Sequence, residues 1–193
     1  IDDGSKDDTW QHMEATAKRY PDIVCALRME QNGGKRQGLR VGFALAHGDV
    51  IVTMDSDSVV ERDALRSLVT PIVADVRVGA VAGNVKVLNR DAGILPRMMR
   101  ASFVLAFDFT RAYQSRIGAV LCTPGAFSAY RRSAVEAVLN DWNHQTWGGK
   151  PSTIAEDRAL SNLILREGHE IVFQSYAVVW TNVPTSYKQM AKM

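Results

Sequence analysis

Val50-Ile51-Val52-Thr53-Met54-Asp55-Ser56-Asp57-Ser58 decides the fold. Its first five residues, apolar or β-branched, read as a buried strand, and two carboxylates one residue apart stand where that strand must end. Aspartate is poor inside a strand and costly to bury unpaired, so a D-x-D at a strand's carboxyl end points to a divalent cation held by oxygen ligands. The same residues also suit a turn in which Asp and Ser side chains satisfy backbone groups. The stretch alone leaves both readings open.

Upstream of it, Asp2-Asp3-Gly4-Ser5-Lys6-Asp7-Asp8-Thr9 gathers turn formers ahead of a helical pattern carried by Trp10, Met13, Ala17 and Tyr20. A short strand is expected over Ile23 to Leu27, then a polar loop from Glu30 to Arg36 that ends in Lys35-Arg36. A helix over Gln37 to Ala46 follows, closed by His47-Gly48. Downstream, the pattern predicts a helix from about Glu61 to Ala74 with Pro71 as a kink, and a strand over Gly79 to Leu88. Alternation of strand and helix is the signature of a parallel sheet covered by helices, so the expected class is α/β with a mostly parallel central sheet.

The segment Ile94 to Ile117 is amphipathic over its whole length, with Met98, Phe103, Phe107 and Tyr113 among Arg97, Arg100, Asp108, Arg111 and Arg116. Such a stripe suits either a core-facing helix or one lying against a membrane. Beyond it come a turn and strand over Ala119 to Tyr130, a helix over Ser133 to Leu139, and a Trp-containing loop over Asn140 to Thr153. A helix over Asp157 to Glu167 opens on an acidic pair, two short strands lie near Glu170 to Gln174 and Ala177 to Thr181, and a last helix starts at about Thr185.

Composition excludes several classes. The chain has 193 residues, enough for one domain, and 46% hydrophobic with 23% charged residues is ordinary for a globular protein. A net charge of +2 with dispersed basic residues does not suit a nucleic-acid binder, so a bound phosphate must be recognised locally. Cys25 and Cys122 lack metal-ligand spacing and allow at most one disulfide, which makes a reducing compartment the default. No apolar run is long enough to span a membrane. The chain opens at Ile1-Asp2-Asp3 without an initiator Met and stops at Met193 within an expected helix, so it reads as a piece of a longer protein.

Acidic clusters recur at comparable places: Asp2-Asp3 and Asp55-x-Asp57 at strand ends, Glu156-Asp157 at a helix start. In an open α/β sheet the ligand crevice lies beyond the carboxyl ends of the strands, so the first two are expected to share it. Lys35-Arg36 can be solvated surface charges. Together with an acidic metal site, however, they fit a nucleotide diphosphate, which requires a cation and a basic side chain at once.

Asp2-Asp3-Gly4-Ser5, Gly34-Lys35-Arg36, Asp55-Ser56-Asp57, Thr123-Pro124-Gly125 with Tyr130-Arg131, and Glu156-Asp157-Arg158-Ala159-Leu160-Ser161-Asn162 occur in the order seen in family 2 glycosyltransferases. The chain resembles the processive branch that contains hyaluronan synthases, chitin synthases and nodulation N-acetylglucosaminyltransferases, and the resemblance covers essentially its whole length. It implies a single GT-A type nucleotide-diphospho-sugar transferase domain over residues 1–193, lacking its first strand and the Q-x-x-R-W region that follows in processive members.

The same resemblance assigns roles. Asp2 and Asp3 look like the uracil and ribose contacts, Lys35 and Arg36 the basic pair near the pyrophosphate, Asp55 a donor-facing residue, and Asp57 the ligand of Mn2+ or Mg2+. Asp157 looks like the catalytic base. Cys122, Thr123, Pro124 and Gly125, with Glu156 and Arg158, resemble the acceptor side, although the family more often has Ser-Gly-Pro where Thr123-Pro124-Gly125 stands.

The implied reaction is inverting transfer of a sugar, N-acetylglucosamine by resemblance, from a UDP-sugar to a growing polysaccharide. Its parent would be a membrane protein with this domain on the cytoplasmic side. One base and no second carboxylate placed as a nucleophile agree with single displacement; Glu156 as a nucleophile is the counter-reading. A nonprocessive transferase onto a lipid or short glycan, and a catalytically degenerate nucleotide-sugar-binding module, are the alternatives.

Overall fold

The computed structural model describes residues 1–147, 149–151 and 155–191. Its backbone gathers into two compact units, Ile1–His47 and Gly48–Met193.

The first unit carries helices α1 (Thr9–Arg19) and α2 (Lys35–Leu45). The Asp7 carboxylate accepts the Thr9 amide at 3.1 Å and so starts α1 where the run of turn formers ends. The strand expected over Ile23 to Leu27 is not formed. A single parallel bridge joins Asp2 to Arg28, with the Asp2 amide on the Leu27 carbonyl at 2.7 Å and the Met29 amide on the Asp2 carbonyl at 2.9 Å. Ile23 is exposed, and the 23–26 backbone pairs with no strand among the described residues. Helix α2 begins at Lys35, two residues ahead of Gln37, because Gly34 adopts φ +80° and its carbonyl then accepts the amides of Gln37 and Gly38.

The second unit contains β1 (Val50–Met54), β2 (Val59–Val60), α3 (Ala64–Ala74), β3 (Val78–Val87), α4 (Ile94–Phe103), a π-helical segment (Val104–Arg111) and α5 (Ala112–Arg116). After these come β4 (Phe127–Arg131), α6 (Arg132–Asn143), the short pair β5 (Thr146–Trp147) and β6 (Lys150–Pro151), α7 (Glu156–Arg166), β7 (Glu170–Thr181) and α8 (Tyr187–Met190).

The main sheet has the order β1-β4-β3-β7-β2 and is mixed rather than mostly parallel. Only β3 and β7 pair in parallel; β1 with β4, β4 with β3, and β7 with β2 are antiparallel. The helical passage from Ile94 to Arg116 carries the chain back beyond the strand ends, and β4 re-enters between β1 and β3 in the opposite sense. Alternation in sequence cannot reveal that insertion.

Strand β3 lies between β4 and β7 and is buried along nearly all of its length, so it reads as a continuous run of small and branched residues. Leu68, Ile72 and Ala64 of α3 pack on it with Val81, Val85, Phe127, Ala129 and Val179. Helix α3 continues through Pro71 to Ala74. At Gly83 the β3–β7 register shifts, and an added Cβ there would come within 2.7 Å of the Phe127 carbonyl oxygen. Residues 174–177 bulge out of β7 at the same place, which is why one strand of twelve residues reads in sequence as two.

Helix α6 outruns its expected end at Leu139 because Trp142 is fully buried. Within the loop expected over Asn140 to Thr153, Gly148, Ser152 and Thr153 lie outside the described residues, as do Lys192 and Met193 at the end of the expected last helix. Among the described residues no helix is long and apolar enough to cross a membrane.

Candidate active site

In the second unit, one loop holds the two acidic motifs together. Strand β1 ends at Met54, and the Ser58 amide closes a turn on the Asp55 carbonyl at 3.1 Å. The backbone at the end of the opening stretch makes the turn that one reading expects, with Asp57 exposed and Asp55 half-buried. The Asp55 amide donates to the Ala126 carbonyl at 3.4 Å. One residue earlier on that loop, the Gly125 amide donates to Asp157 Oδ2 at 2.9 Å. The Cys122–Ala126 loop thus has the D-x-D strand at one side and the acidic helix at the other.

Asp157 is fixed from behind as well. It lies in the first turn of α7, whose N-cap, Ala155, has φ +57° and is the only non-glycine residue with positive φ among the described residues. An alanine in the left-handed region is strained, and such strain persists where the surroundings impose it. The surroundings here are polar and buried. Trp142 Nε1 donates to the Glu156 carbonyl at 3.0 Å, and Ser161 Oγ to the Asp157 carbonyl at 2.8 Å. Ser161 Oγ also accepts the Thr123 amide at 3.0 Å, and Thr123 Oγ1 lies 2.9 Å from the Tyr130 hydroxyl and 3.0 Å from Ser161 Oγ. Ser128 Oγ donates to the Pro124 carbonyl at 2.6 Å.

Burial, with the Asp157 charge behind it, pushes the Tyr130 phenol well above its ordinary value, so Tyr130 stays a neutral hydroxyl throughout the working range. A buried network in which each member finds a partner fixes a loop far better than surface contacts do.

Of the residues expected on the acceptor side, Thr123 and Pro124 are buried, and Thr123 works behind the loop rather than at its surface. Gly125, Cys122 and Glu156 are half-buried, and Arg158 is exposed. The sequence reading missed Tyr130, Ser161 and Trp142 as supports. Tyr130-Arg131 and Ser161 stood within the quoted motifs, but nothing in their spacing shows that three hydroxyls meet.

In the first unit, Asp2 is 2% exposed and accepts the Ser5 amide at 2.9 Å, with Arg28 Nε 3.3 Å from its other oxygen. The Ser5 hydrogen bonds, aided by the Arg28 charge, hold its carboxyl below the usual aspartate range. Asp3 spans a longer distance in sequence: its two oxygens accept the amides of Gly33 at 2.7 Å and Gly34 at 2.8 Å, and Asn32 Nδ2 reaches the Asp3 carbonyl at 2.8 Å. Asp3 therefore shapes the loop that leads into α2, and Asp2 the turn at Ser5. Lys35 and Arg36 fall in the first turn of that helix, not on a loop. Cations at a helix N-terminus oppose its dipole, a placement that an anion bound there would reverse. A cleft of about 510 Å³ lies beside the Gly4-Ser5-Lys6 turn, with Arg28, Met29 and Glu30 on its other wall.

Among the described residues no three His, Cys, Asp or Glu side chains gather into a closed cage. Mg2+ and cations like it are bound through one or two carboxylates together with substrate phosphates and water, so Asp57 with Asp55 at a strand end fits an open site of that kind. Ser58 Oγ beside them is buried with no partner among the described residues, an unmet polar atom at the place where a bound group would supply one.

A mixed sheet with flanking helices, bearing a D-x-D at the end of a strand, defines the class: a nucleotide-diphospho-sugar transferase of the GT-A fold. The chain belongs to the glycosyltransferase-like family 2, whose model matches residues 1–193. It is 34% identical over 184 residues to an N-acetylglucosaminyltransferase of Azorhizobium caulinodans, covering 95% of this chain and 46% of that protein. A mannosyltransferase from Pyrobaculum calidifontis, solved in complex with GDP-Man and Mn2+, superposes at a TM-score of 0.72 with 23% identity, over 99% of this chain and 49% of that one. A second solved structure, holding UDP, GalNAc and Mn2+, matches at a TM-score of 0.68 with 19% identity, over 96% of this chain and 37% of that one. The chain spans less than half the length of each.

Proposed function

We propose that this chain is a single GT-A catalytic domain performing inverting, metal-dependent transfer of N-acetylglucosamine from its UDP donor to a growing glycan. One observation carries the reading: the Cys122–Ala126 loop joins Asp55 at Ala126 to Asp157 at Gly125, so a donor-side carboxylate and a base flank one surface.

Asp157 accepts the proton of the acceptor hydroxyl as its oxygen attacks the anomeric carbon, and the bond to the UDP oxygen breaks on the opposite face. The Gly125 amide donates to one carboxylate oxygen of Asp157 and so holds the side chain against the loop. Asp57 holds a divalent cation and Asp55 faces the donor. A divalent cation bound there would neutralise charge on the departing diphosphate. In this reading Lys35 and Arg36, in the first turn of α2, are the phosphate-binding residues, and Asp3 caps the loop that leads into that helix. Mn2+ in two fold neighbours supports the choice of cation, and the N-acetylglucosaminyltransferase relative supports the sugar.

A membrane parent, with this domain on the cytoplasmic side, is part of the same proposal. Ile94, Met98, Leu105, Phe109, Tyr113 and Ile117 are all exposed along the long helical passage, among exposed Arg97, Arg100 and Arg116. An apolar stripe edged with arginine suits an anionic lipid surface.

Asp157→Asn is the deciding experiment. Mn2+-dependent UDP-N-acetylglucosamine binding should persist while turnover falls by about 10²–10⁴-fold. Unchanged turnover removes Asp157 from the role of base. Binding without turnover even in the unaltered full-length protein favours a degenerate sugar-nucleotide-binding module.

A further inference from the structure

We propose that Arg111 is a positioning residue for the base side of the site: it anchors the Cys122–Gly125 loop that holds Asp157 and keeps a fixed positive charge near that carboxylate. The inference rests on the reading of Asp157 as the base.

Arg111 is the last residue of the π-helical segment. π-Turns are uncommon and often occur at functional places in otherwise regular helices. Their wider winding changes which carbonyls a side chain can reach. Thr110 Oγ1 turns back to the Leu105 carbonyl at 3.0 Å, and Arg111 Nη1 to the Ala106 carbonyl at 3.1 Å, five residues behind in each case.

With one nitrogen committed to its own helix, the guanidinium lies 4.0 Å over the ring of Phe107, itself buried. Nε then donates to the Cys122 carbonyl at 3.0 Å. One planar group thereby joins the helix, an aromatic face and the first residue of the loop. A lysine, with a single point of charge, has no rigid fork to span two carbonyls.

The loop's remaining backbone anchors come from elsewhere. Ser161 takes the Thr123 amide, Ser128 the Pro124 carbonyl, and Asp157 itself the Gly125 amide. The Cys122 carbonyl is the end that Arg111 secures, and slack there is passed along three residues to Gly125.

Charge supplies the second effect. Burial presses the Arg111 pKa below the ordinary guanidinium value, Cys122 and Asp157 act against that, and Arg158 adds to the lowering. An arginine remains protonated all the same. The titratable groups beside Asp157 include Arg111 from the π-segment, Tyr130 from β4, and Glu156 and Arg158 on its own helix. Tyr130 stays neutral, Arg158 is exposed and screened by water, and Arg111 is half-buried. Arg111 is thus a half-buried cation whose charge acts on Asp157. A carboxylate that loses a neighbouring cation titrates at higher pH.

The test uses the full-length protein with UDP-N-acetylglucosamine as the probe, comparing Arg111→Lys, Arg111→Met, Asp157→Asn and the Asp157→Asn/Arg111→Met double variant. Arg111→Met should lower kcat about 10–100-fold with the donor KM within about twofold. It should also move the acid limb of the pH–kcat profile upward by about 0.5–1 pH unit. Arg111→Lys should leave the limb in place and still lose about tenfold in kcat, because charge is kept and the fork is lost. In the Asp157→Asn background, Arg111→Met should cost no more than about a further twofold.

An unmoved acid limb in Arg111→Met, or a full additional loss in the double variant, overturns the inference. If Arg111→Met does not fold, Arg111→Lys decides: wild-type kcat overturns the inference, and the tenfold loss at an unchanged limb supports it. Turnover retained in Asp157→Asn removes the base assignment and this inference with it. Turnover lost there, with the Arg111 limb unmoved, removes this inference alone.

Discussion

The two units of the chain hold the carboxylates proposed for the site in different settings. In Ile1–His47 the supports are loop amides that donate to the carboxylates: α1 has no buried residue, and Phe43 is the buried hydrophobic side chain of α2. In Gly48–Met193 a packed core and a buried set of hydroxyls stand behind Asp157. Segments with few buried apolar contacts open locally at little cost, whereas a group on a packed helix keeps its place. Tight holding suits a base whose orientation sets the rate.

Removing the largest support of the tight half should have the largest effect. Trp142→Ala deletes a fully buried side chain and frees the Glu156 carbonyl next to Asp157. It should destabilise the protein by about 3–5 kcal/mol, measured by denaturant titration, and lower turnover at temperatures where the variant is still folded. A smaller cut, Thr123→Val, keeps the volume and removes the hydroxyl between Tyr130 and Ser161. The cost should be about 1–3 kcal/mol, with kcat reduced and the donor KM little changed. If Thr123→Val instead raises the donor KM with kcat intact, the network does not serve the base.

The loose half predicts the reverse pattern. Asp3→Ala removes the acceptor of two amides at once. Hydrogen exchange at Gly33 and Gly34 should quicken by about tenfold to a hundredfold, while the global unfolding midpoint barely moves. A large drop in that midpoint would place the first unit on the same footing as the second.

How much of this was legible in sequence follows the same division. Asp55-x-Asp57 at the end of an apolar run, and the acidic start of α7, could be read because strand ends and helix starts have local signatures. The order of the sheet could not, since the insertion of β4 between β1 and β3 depends on where a long helical passage returns the chain. The start of α2 was misplaced because Gly34 at φ +80° supplies a turn that the helical pattern of Gln37 to Ala46 does not record. Arg111 looked like one of several arginines on an amphipathic helix. Only the π-helical winding turns it onto the Cys122 carbonyl, and that winding leaves no residue signature in Val104–Arg111.

The gentlest way to probe the contrast is pH, through Asp2. Its carboxyl lies below the ordinary value of 3.8 because the Ser5 hydrogen bonds, and then the Arg28 charge, favour the ionised form over the opposing effect of burial. A carboxyl depressed in the folded state contributes stability that is fully present above its unfolded value and is lost as pH falls through the lower, folded one. The turn at Ser5 should therefore keep its hydrogen exchange protection from neutral pH down toward 3.8, and lose it below that value. Asp2→Asn should give weak protection at every pH with no such step. The amides of the second unit that depend on hydroxyls, that of Thr123 above all, should show no step in the same window, because Ser161 does not titrate. A step at Thr123 matching the one at Ser5 would mean that the two halves loosen as one body, and the contrast drawn between them would fail.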